Sequence, residues 1–249
     1  MKKLIILITV LAFWGCDNST EVTDCAGVAG GDAVEDCAGV CGGDGSTCFV
    51  TDIDGNIYAT IKIGGQFWMA ENLKTTKYKD GSEIPTGYSG TDWSNLSTGA
   101  YAVYDDPINA EIYGHLYNWY TVDDSRGICP EGLHVASDEE WTMLTDYLGG
   151  IYVAGGKMKT TGTIEGVDGL WDSPNEGATN ESSFNGLPTG IRLAFNGAYM
   201  HKGKYGYFWT SSDKNSSEAW HWLLHNLGGD AIRFNFDKKG GLSIRCLKD

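Results

Sequence analysis

Seven cysteines are the tightest constraint on how this chain can fold. The number is odd, so at least one thiol needs a fate other than an internal disulfide. Cys25, Cys37, Cys41 and Cys48 form a local cluster, and Cys16 stands alone before it. Cys129 and Cys246 lie far downstream. If Cys16 is the odd thiol, Cys129 and Cys246 are left for each other. A bridge between them would close almost half of the chain into one loop.

The N-terminus gives Cys16 a reason to be unpaired. Lys2 and Lys3 precede an apolar run from Leu4 to Trp14, followed by Gly15 and Cys16. A basic start, an apolar stretch and a small residue make a secretory signal. The run is shorter than the roughly 20 residues a spanning helix needs. Leu11-Ala12-Phe13-Trp14-Gly15-Cys16 resembles the lipobox of bacterial lipoproteins, with Phe13 and Trp14 departing from the usual leucine and small residue. The resemblance implies that residues 1–15 are a lipoprotein signal peptide and that Cys16 carries the lipid. A plain cleaved signal with a secreted product is the alternative. Each buried lipid methylene contributes about 0.8 kcal/mol, so a triacylated cysteine would hold the protein on a membrane surface. The expected location is the bacterial outer membrane or cell surface, where disulfides persist. No other segment is apolar enough to meet a bilayer, which excludes a polytopic membrane protein. A formal charge of −15 argues against a nucleic-acid partner, since phosphate binding needs a basic surface.

Residues 16–49 read as a stalk. Asp24-Cys25-Ala26-Gly27-Val28-Ala29-Gly30-Gly31-Asp32 recurs as Asp36-Cys37-Ala38-Gly39-Val40-Cys41-Gly42-Gly43-Asp44, with Ala29 against Cys41 the one mismatch. That mismatch rules out pairing within each copy, and the remaining connectivities stay open. The segment from Asp17 to Phe49 holds seven acidic residues and no basic one. It has too few large apolar residues for a core, so it must be cross-linked, metal-bound or flexible. The repeat resembles Cys-Gly-Asp-rich linkers of secreted bacterial proteins and, loosely, thrombospondin type 3 calcium repeats. A disulfide-stapled spacer and a calcium-bound one both fit it.

Residues 50–249 hold eight of the nine tryptophans and read as the folded domain. Asp54-Gly55-Asn56 and Gly64-Gly65 supply turn residues between Ile53–Tyr58, Tyr58–Ile63 and Gln66–Met69, a β-meander. Ser137 and Glu140 form a capping-box pair, and Trp141, Leu144 and Leu148 follow on one face, so a helix runs from Ser137 to the Gly149-Gly150 stop. Gly114–Val122 reads as a second helix, with a strand as the alternative. Gly155–Gly190 shows scarcely any regular pattern and reads as a long loop. Strands are expected at Ile191–Phe195, Gly206–Ser212, Ala219–His225, Ala231–Asp237 and Gly241–Cys246.

Several of these segments resemble the Fibrobacter succinogenes major paralogous domain. They are 63–73 (Ile-Gly-Gly-Gln-Phe-Trp-Met-Ala-Glu-Asn-Leu), 113–120 (Tyr-Gly-His-Leu-Tyr-Asn-Trp-Tyr), 129–141 (Cys-Pro-Glu-Gly-Leu-His-Val-Ala-Ser-Asp-Glu-Glu-Trp), 177–184 (Gly-Ala-Thr-Asn-Glu-Ser-Ser-Phe), 208–212 (Phe-Trp-Thr-Ser-Ser) and 243–246 (Ser-Ile-Arg-Cys). Leu133 and Ala136 depart from the family's usual Trp and Pro. That family is similar to the C-type-lectin-like superfamily, which includes the formylglycine-generating enzymes. The resemblance implies an α+β domain with a twisted antiparallel sheet, one or two helices and long loops. It also implies a Cys129–Cys246 bridge, the pair that parity leaves.

Candidate chemistry is sparse. The oxidase relatives need a reactive cysteine pair, and no thiol remains for one. His221 and His225 have metal-like spacing only on a helix; on a strand they stand about 13 Å apart, too far for one zinc. No nucleophile elbow, phosphate loop or zinc-protease motif occurs. Asp168, Asp172 and Glu181 form no defined acid pair. Trp171, Tyr205, Tyr207, Trp220 and Trp222 crowd the last third and are the candidate ligand-binding platforms, Trp171 in the long loop being the one expected to be reachable. Asn180 and Glu181 are the residues that would hold a structural calcium. The sugar-specifying triplets of calcium-dependent lectins are absent, Ser173-Pro174-Asn175 lacking the leading carboxylate or amide. No catalytic residue is assigned. The expectation is a surface lipoprotein whose non-catalytic domain binds an extracellular polysaccharide or protein. A structural envelope or adhesion component acting through protein contacts competes with it, and an enzyme of the formylglycine-generating type is disfavoured.

Overall fold

The structure, a computed structural model, describes residues 23–36, 41–43, 48–104 and 107–249. Cys16, Cys37 and the signal segment lie outside the described residues. Among the described residues no helix is long and apolar enough to cross a membrane.

In the stalk, Cys25 bonds to Cys41, so the first repeat is stapled to the second, one of the connectivities the sequence left open. Cys48 is also disulfide-bonded. The Asp24 carboxylate accepts the backbone N–H groups of Ala26, Val28 and Ala33. It therefore acts as a turn former, which is what a Gly-rich segment without a core needs.

The domain mixes helix with mostly antiparallel sheet. β1 (Phe49–Thr51), β2 (Ile57–Ile63), β3 (Gln66–Met69) and β6 (Leu133–Val135) join β12 (Cys246–Lys248) in a five-stranded sheet of order β1-β2-β3-β12-β6. β4 (Tyr101–Ala102) pairs with β5 (Leu116–Tyr117), and β7 (Ile191–Arg192) with β8 (Tyr199–Met200). β9 (Tyr205–Asp213), β10 (Glu218–His225) and β11 (Ala231–Asp237) form a three-stranded antiparallel sheet with β10 in the middle. The helices are α1 (Gly90–Ser94), α2 (Asn109–Tyr113), α3 (Trp119–Val122), α4 (Asp138–Tyr147) and α5 (Ile151–Met158). Two buried clusters lie on either side of β9. Tyr207 and Trp209 join Tyr117, Leu242, Ile244 and the Cys129–Cys246 disulfide, while Phe208 joins Trp68, Trp141, Phe184 and Trp222 beneath α4 and α5. The disulfide spans 117 positions, for which the chain-entropy model assigns about 5 kcal/mol.

The turn before β2 forms where Asp54-Gly55 places it, with Gly55 at φ 87°. Asp52 organises it, its carboxylate accepting the N–H groups of Asp54 and Asn56 and the Tyr58 hydroxyl. The expected helix over 114–122 is split. Leu116 and Tyr117 are extended against β4, and only the four residues of α3 are helical, capped by Asn118. The Asn118 side chain also accepts Ala100 N–H, a tertiary bond that sets the helix start and is invisible to local pattern. α5 was not expected, because Gly155 and Gly156 are poor helix formers. They are required there: a Cβ on Gly155 would strike the Asp230 backbone and one on Gly156 the Gly177 backbone. The strand expected over 191–195 shrinks to Ile191–Arg192, and the last one shifts to Cys246–Lys248. Residues 242–243 instead run beside Tyr117 and Phe208 through isolated bridges.

α4 carries the capping box, with Ser137 Oγ accepting Glu140 N–H and the Glu140 carboxylate accepting Ser137 N–H. The same carboxylate meets His134 Nε2 at 2.9 Å, and Asp249 meets His134 Nδ1 at 2.7 Å. Burial works against the charged imidazole, but these two carboxylates outweigh it and raise the pKa above the usual 6.5. A raised histidine contributes stability that is complete below its unfolded pKa and lost as pH rises through the folded one. The melting-temperature advantage of wild type over His134→Gln is therefore expected to be largest at and below about pH 6 and to shrink as the pH rises above the ordinary histidine value and through the raised one. An advantage that is flat with pH would show that His134 is not charged in the fold.

Candidate functional site

Trp171 is the first correction. It is fully buried, its Nε1–H donating to Thr160 Oγ1 and to the Gly186 carbonyl. The long loop is not a surface flap but a packed layer wrapped around this indole. Lys159, also fully buried, extends its ammonium into the same layer, 5.4 Å from the Trp171 ring, and donates to the carbonyls of Glu176, His225 and Gly228. Asn175 adds bonds to the Thr160 and Gly162 carbonyls. The loop thus lacks regular structure yet is held from within.

Trp222 is the second correction. It is buried, stacks on Trp141 at 6.2 Å and donates Nε1–H to Asp138. Trp220, on the same face of β10, is half-buried under the Arg233 guanidinium at 3.4 Å, which itself pairs with Asp138. Both indoles therefore serve the junction between β10, β11 and the start of α4. The Asn180 side-chain amide donates to Asn185 Oδ1 and its Oδ1 accepts the Asn185 backbone N–H, and Glu181 pairs with Lys157 at 2.8 Å. Among the described residues no group of three His, Cys, Asp or Glu side chains could hold a metal ion.

Tyr205 and Tyr207 lead to a different surface. Strands alternate faces, so the side of the β9–β11 sheet turned away from α4 and α5 carries Tyr205, Tyr207 and Trp209 on β9. β10 adds His221, Leu223 and His225, and β11 adds Ile232, Phe234 and Phe236. The register sets His225 against Tyr205, Leu223 between Tyr207 and Ile232, and His221 between Trp209 and Phe234. Arg233 and Asn235 fall on the opposite face by the same alternation. Exposure is graded: Phe234 is 60% exposed, Tyr205, Leu223, His225, Ile232 and Phe236 are half-buried, and His221 at 3%, Tyr207 and Trp209 are buried, the last two in the core cluster that covers the β9 side of the face, so that the open part is the strip from Tyr205 and His225 to Phe234. The imidazole of His221 thus lies at the floor, with Tyr207, Phe234 and Phe236 ring centres 5.9, 6.4 and 6.2 Å away. Burial pushes its pKa down to about 4, so it is neutral at pH 7, and its Nδ1 has no hydrogen-bond partner among the described residues. At the other end His201 Nδ1 and the Tyr207 hydroxyl share a 2.8 Å hydrogen bond, and His225 Nε2 meets Asp230 at 2.8 Å.

His221 and His225 do share a face, as expected of a strand, but each has its own surroundings and they do not converge on one point. The sequence reading passes over Phe234 and Phe236. The alternation of Ile232, Phe234 and Phe236 with Arg233 and Asn235 carried the signal, since it gives β11 one apolar side.

These observations define a class: a disulfide-closed α+β domain, built mostly of antiparallel sheet, with an open aromatic sheet face. The family model of the Fibrobacter succinogenes major domain matches residues 61–248, and the chain belongs to that family. No curated protein and no solved structure matches it.

Proposed function

We propose that this protein is a bacterial surface lipoprotein, anchored through Cys16, whose folded domain is a non-catalytic module for an extracellular polysaccharide or protein. The observation that carries the binding reading is the open face of β9–β11, where Phe234 stands 60% exposed above a row of half-buried aromatic and aliphatic side chains. A monomeric fold gains nothing by leaving such side chains to water, and contiguous apolar surface of this kind marks interaction sites. The stapled, acidic stalk would hold the domain off the membrane. The C-type-lectin-like superfamily is the fold relationship we assign, on the strength of the sequence motifs and the long, internally braced loop.

The experiment has two arms. Labelled palmitate should enter the expressed chain and be lost in Cys16→Ser. The lipid-free chain starting at Asp17 should bind on a glycan array or capture an extracellular protein, with calcium and with chelator compared. Binding abolished by chelator would give Asn180 and Glu181 a metal role. Absence of both glycan and protein ligands, together with turnover of a substrate, would sink the binding reading in favour of an enzyme. Protein contacts alone, confined to envelope partners, would favour the structural role.

A further inference from the structure

We infer that the open face of β9–β11 is a binding site for an uncharged polysaccharide, laid across the strands between Tyr205 and Phe234. This rests on the binding-module reading and names its ligand class.

The first argument is charge. The face presents rings, aliphatic groups and imidazoles, and strand alternation sends Arg233 to the other side. The one carboxylate bonded to it, Asp230, is at the His225 end. None of the side chains that alternate onto this face is a lysine or arginine, the nearest cation being Lys204 beside His201 at the Tyr205 end, and the chain's formal charge of −15 would repel a polyanion. The second argument is shape. Tyr205 and Phe234 are two strands and four register positions apart, which is roughly 16 Å. A ligand that uses both must be extended, as a polymer of several sugar rings is. Phenyl and phenol rings stack on the apolar faces of such rings and cost little entropy to hold.

The third argument is His221. Its Nδ1 is buried without a partner beneath Tyr207, Phe234 and Phe236. An unmade hydrogen bond of this kind is costly. A sugar hydroxyl that reached it as the exposed Phe234 ring turned aside would both donate and accept, and so would suit either tautomer of the neutral imidazole. An apolar protein side chain on this face would leave Nδ1 unsatisfied. A polysaccharide therefore explains the rings and the imidazole together.

The test is affinity electrophoresis of the lipid-free chain in gels containing hydroxyethyl cellulose, dextran, galactomannan or, as the anionic probe, polygalacturonate. Wild type should be retarded by at least one neutral polymer and not by polygalacturonate. Phe234→Ala should weaken that retardation roughly tenfold. Phe234 is exposed on an edge strand, so this variant should keep its melting temperature. His221→Leu should also stay folded, since loss of an unpartnered buried polar group is nearly neutral, and should weaken binding. Tyr152→Ala, an exposed aromatic on α5, serves as the control and should bind as wild type does. Retardation by a neutral polymer that Phe234→Ala leaves unchanged would overturn this face and spare the binding-module reading. No retardation by any neutral polymer, or a preference for polygalacturonate, would overturn the ligand class. Capture of a protein through Phe234 in place of a glycan would do the same while keeping the face.

Discussion

Arg245→Met is expected to destabilise the protein by about 4 kcal/mol, which is a large share of the 5–15 kcal/mol that holds a typical domain. Arg245 is fully buried, and among the described residues no carboxylate bonds to it. Its Nε–H donates to Asn72 Oδ1 at 2.7 Å, Nη1 to the carbonyls of Met69 and Phe184, and Nη2 to that of Asn185. Burial pulls its pKa down to about 9, a measure of what it costs to hold the charge there. The cation is retained because its planar fork satisfies four acceptors from two separate stretches of chain, 69–72 and 184–185. Methionine fills the space but strands all four acceptors. Arg245→Lys should not rescue, because an ammonium is a point donor and cannot span the same fork. Denaturant unfolding would measure this. A loss below about 1 kcal/mol for Arg245→Met would mean that the acceptors find other partners and that the network is incidental.

That network explains which parts of the fold were legible in the sequence. Asn72 belongs to the 63–73 motif, Tyr113 to the next, Phe184 to the 177–184 motif and Arg245 to the last. The Asn72 side chain, which accepts from Arg245, also donates to the Tyr113 carbonyl and Thr189. Trp68, Trp141, Phe184 and Phe208, each from a different motif, pack edge-on or tilted, Trp141 and Phe184 each lying within 6 Å of the other three. The motifs by which the family resemblance was read are thus pieces of one core, and they specify fold far better than function. Local signals held as well: the Ser137–Glu140 capping box and the Asp54-Gly55 turn depend on neighbours a few residues away. What failed depends on distant backbone. α5 tolerates two glycines because β11 and the 177 turn press against it. Trp171 sits among polar and small neighbours that suggest exposure, yet the loop folds over it. Flanking composition cannot distinguish a loop that covers a core from one that hangs free. The face proposed for binding is half legible in the sequence: Tyr205 and Tyr207 lie on it, Trp220 and Trp222 belong to the opposite side, and Phe234 is signalled only by the alternation of β11.

The long loop yields the second large effect. Lys159→Met is expected to cost about 3 kcal/mol and to release the 160–186 segment before the sheets unfold. The Lys159 ammonium donates to one carbonyl of the loop, that of Glu176, and to two at and just past the end of β10, those of His225 and Gly228. It therefore clamps the loop to the end of β10. Among the described residues no carboxylate bonds to it, and burial lowers its pKa to about 8 despite the charges of Asp230 and Glu176. The charge itself is a cost, so what the lysine contributes is three donors aimed at three carbonyls. Methionine keeps the apolar stem over Trp171 and removes all three. Amide exchange should then quicken through residues 160–186 while Tyr207–Trp209 and the helix α4 remain protected. Exchange that rises uniformly would assign Lys159 to global stability alone. His225 ties this clamp to function, since its carbonyl holds Lys159 while its side chain lies beside Tyr205 on the open face. Loosening the loop should therefore weaken polysaccharide retention by Lys159→Met at temperatures where the sheets are still folded, and undiminished retention would show that the face stands without its brace.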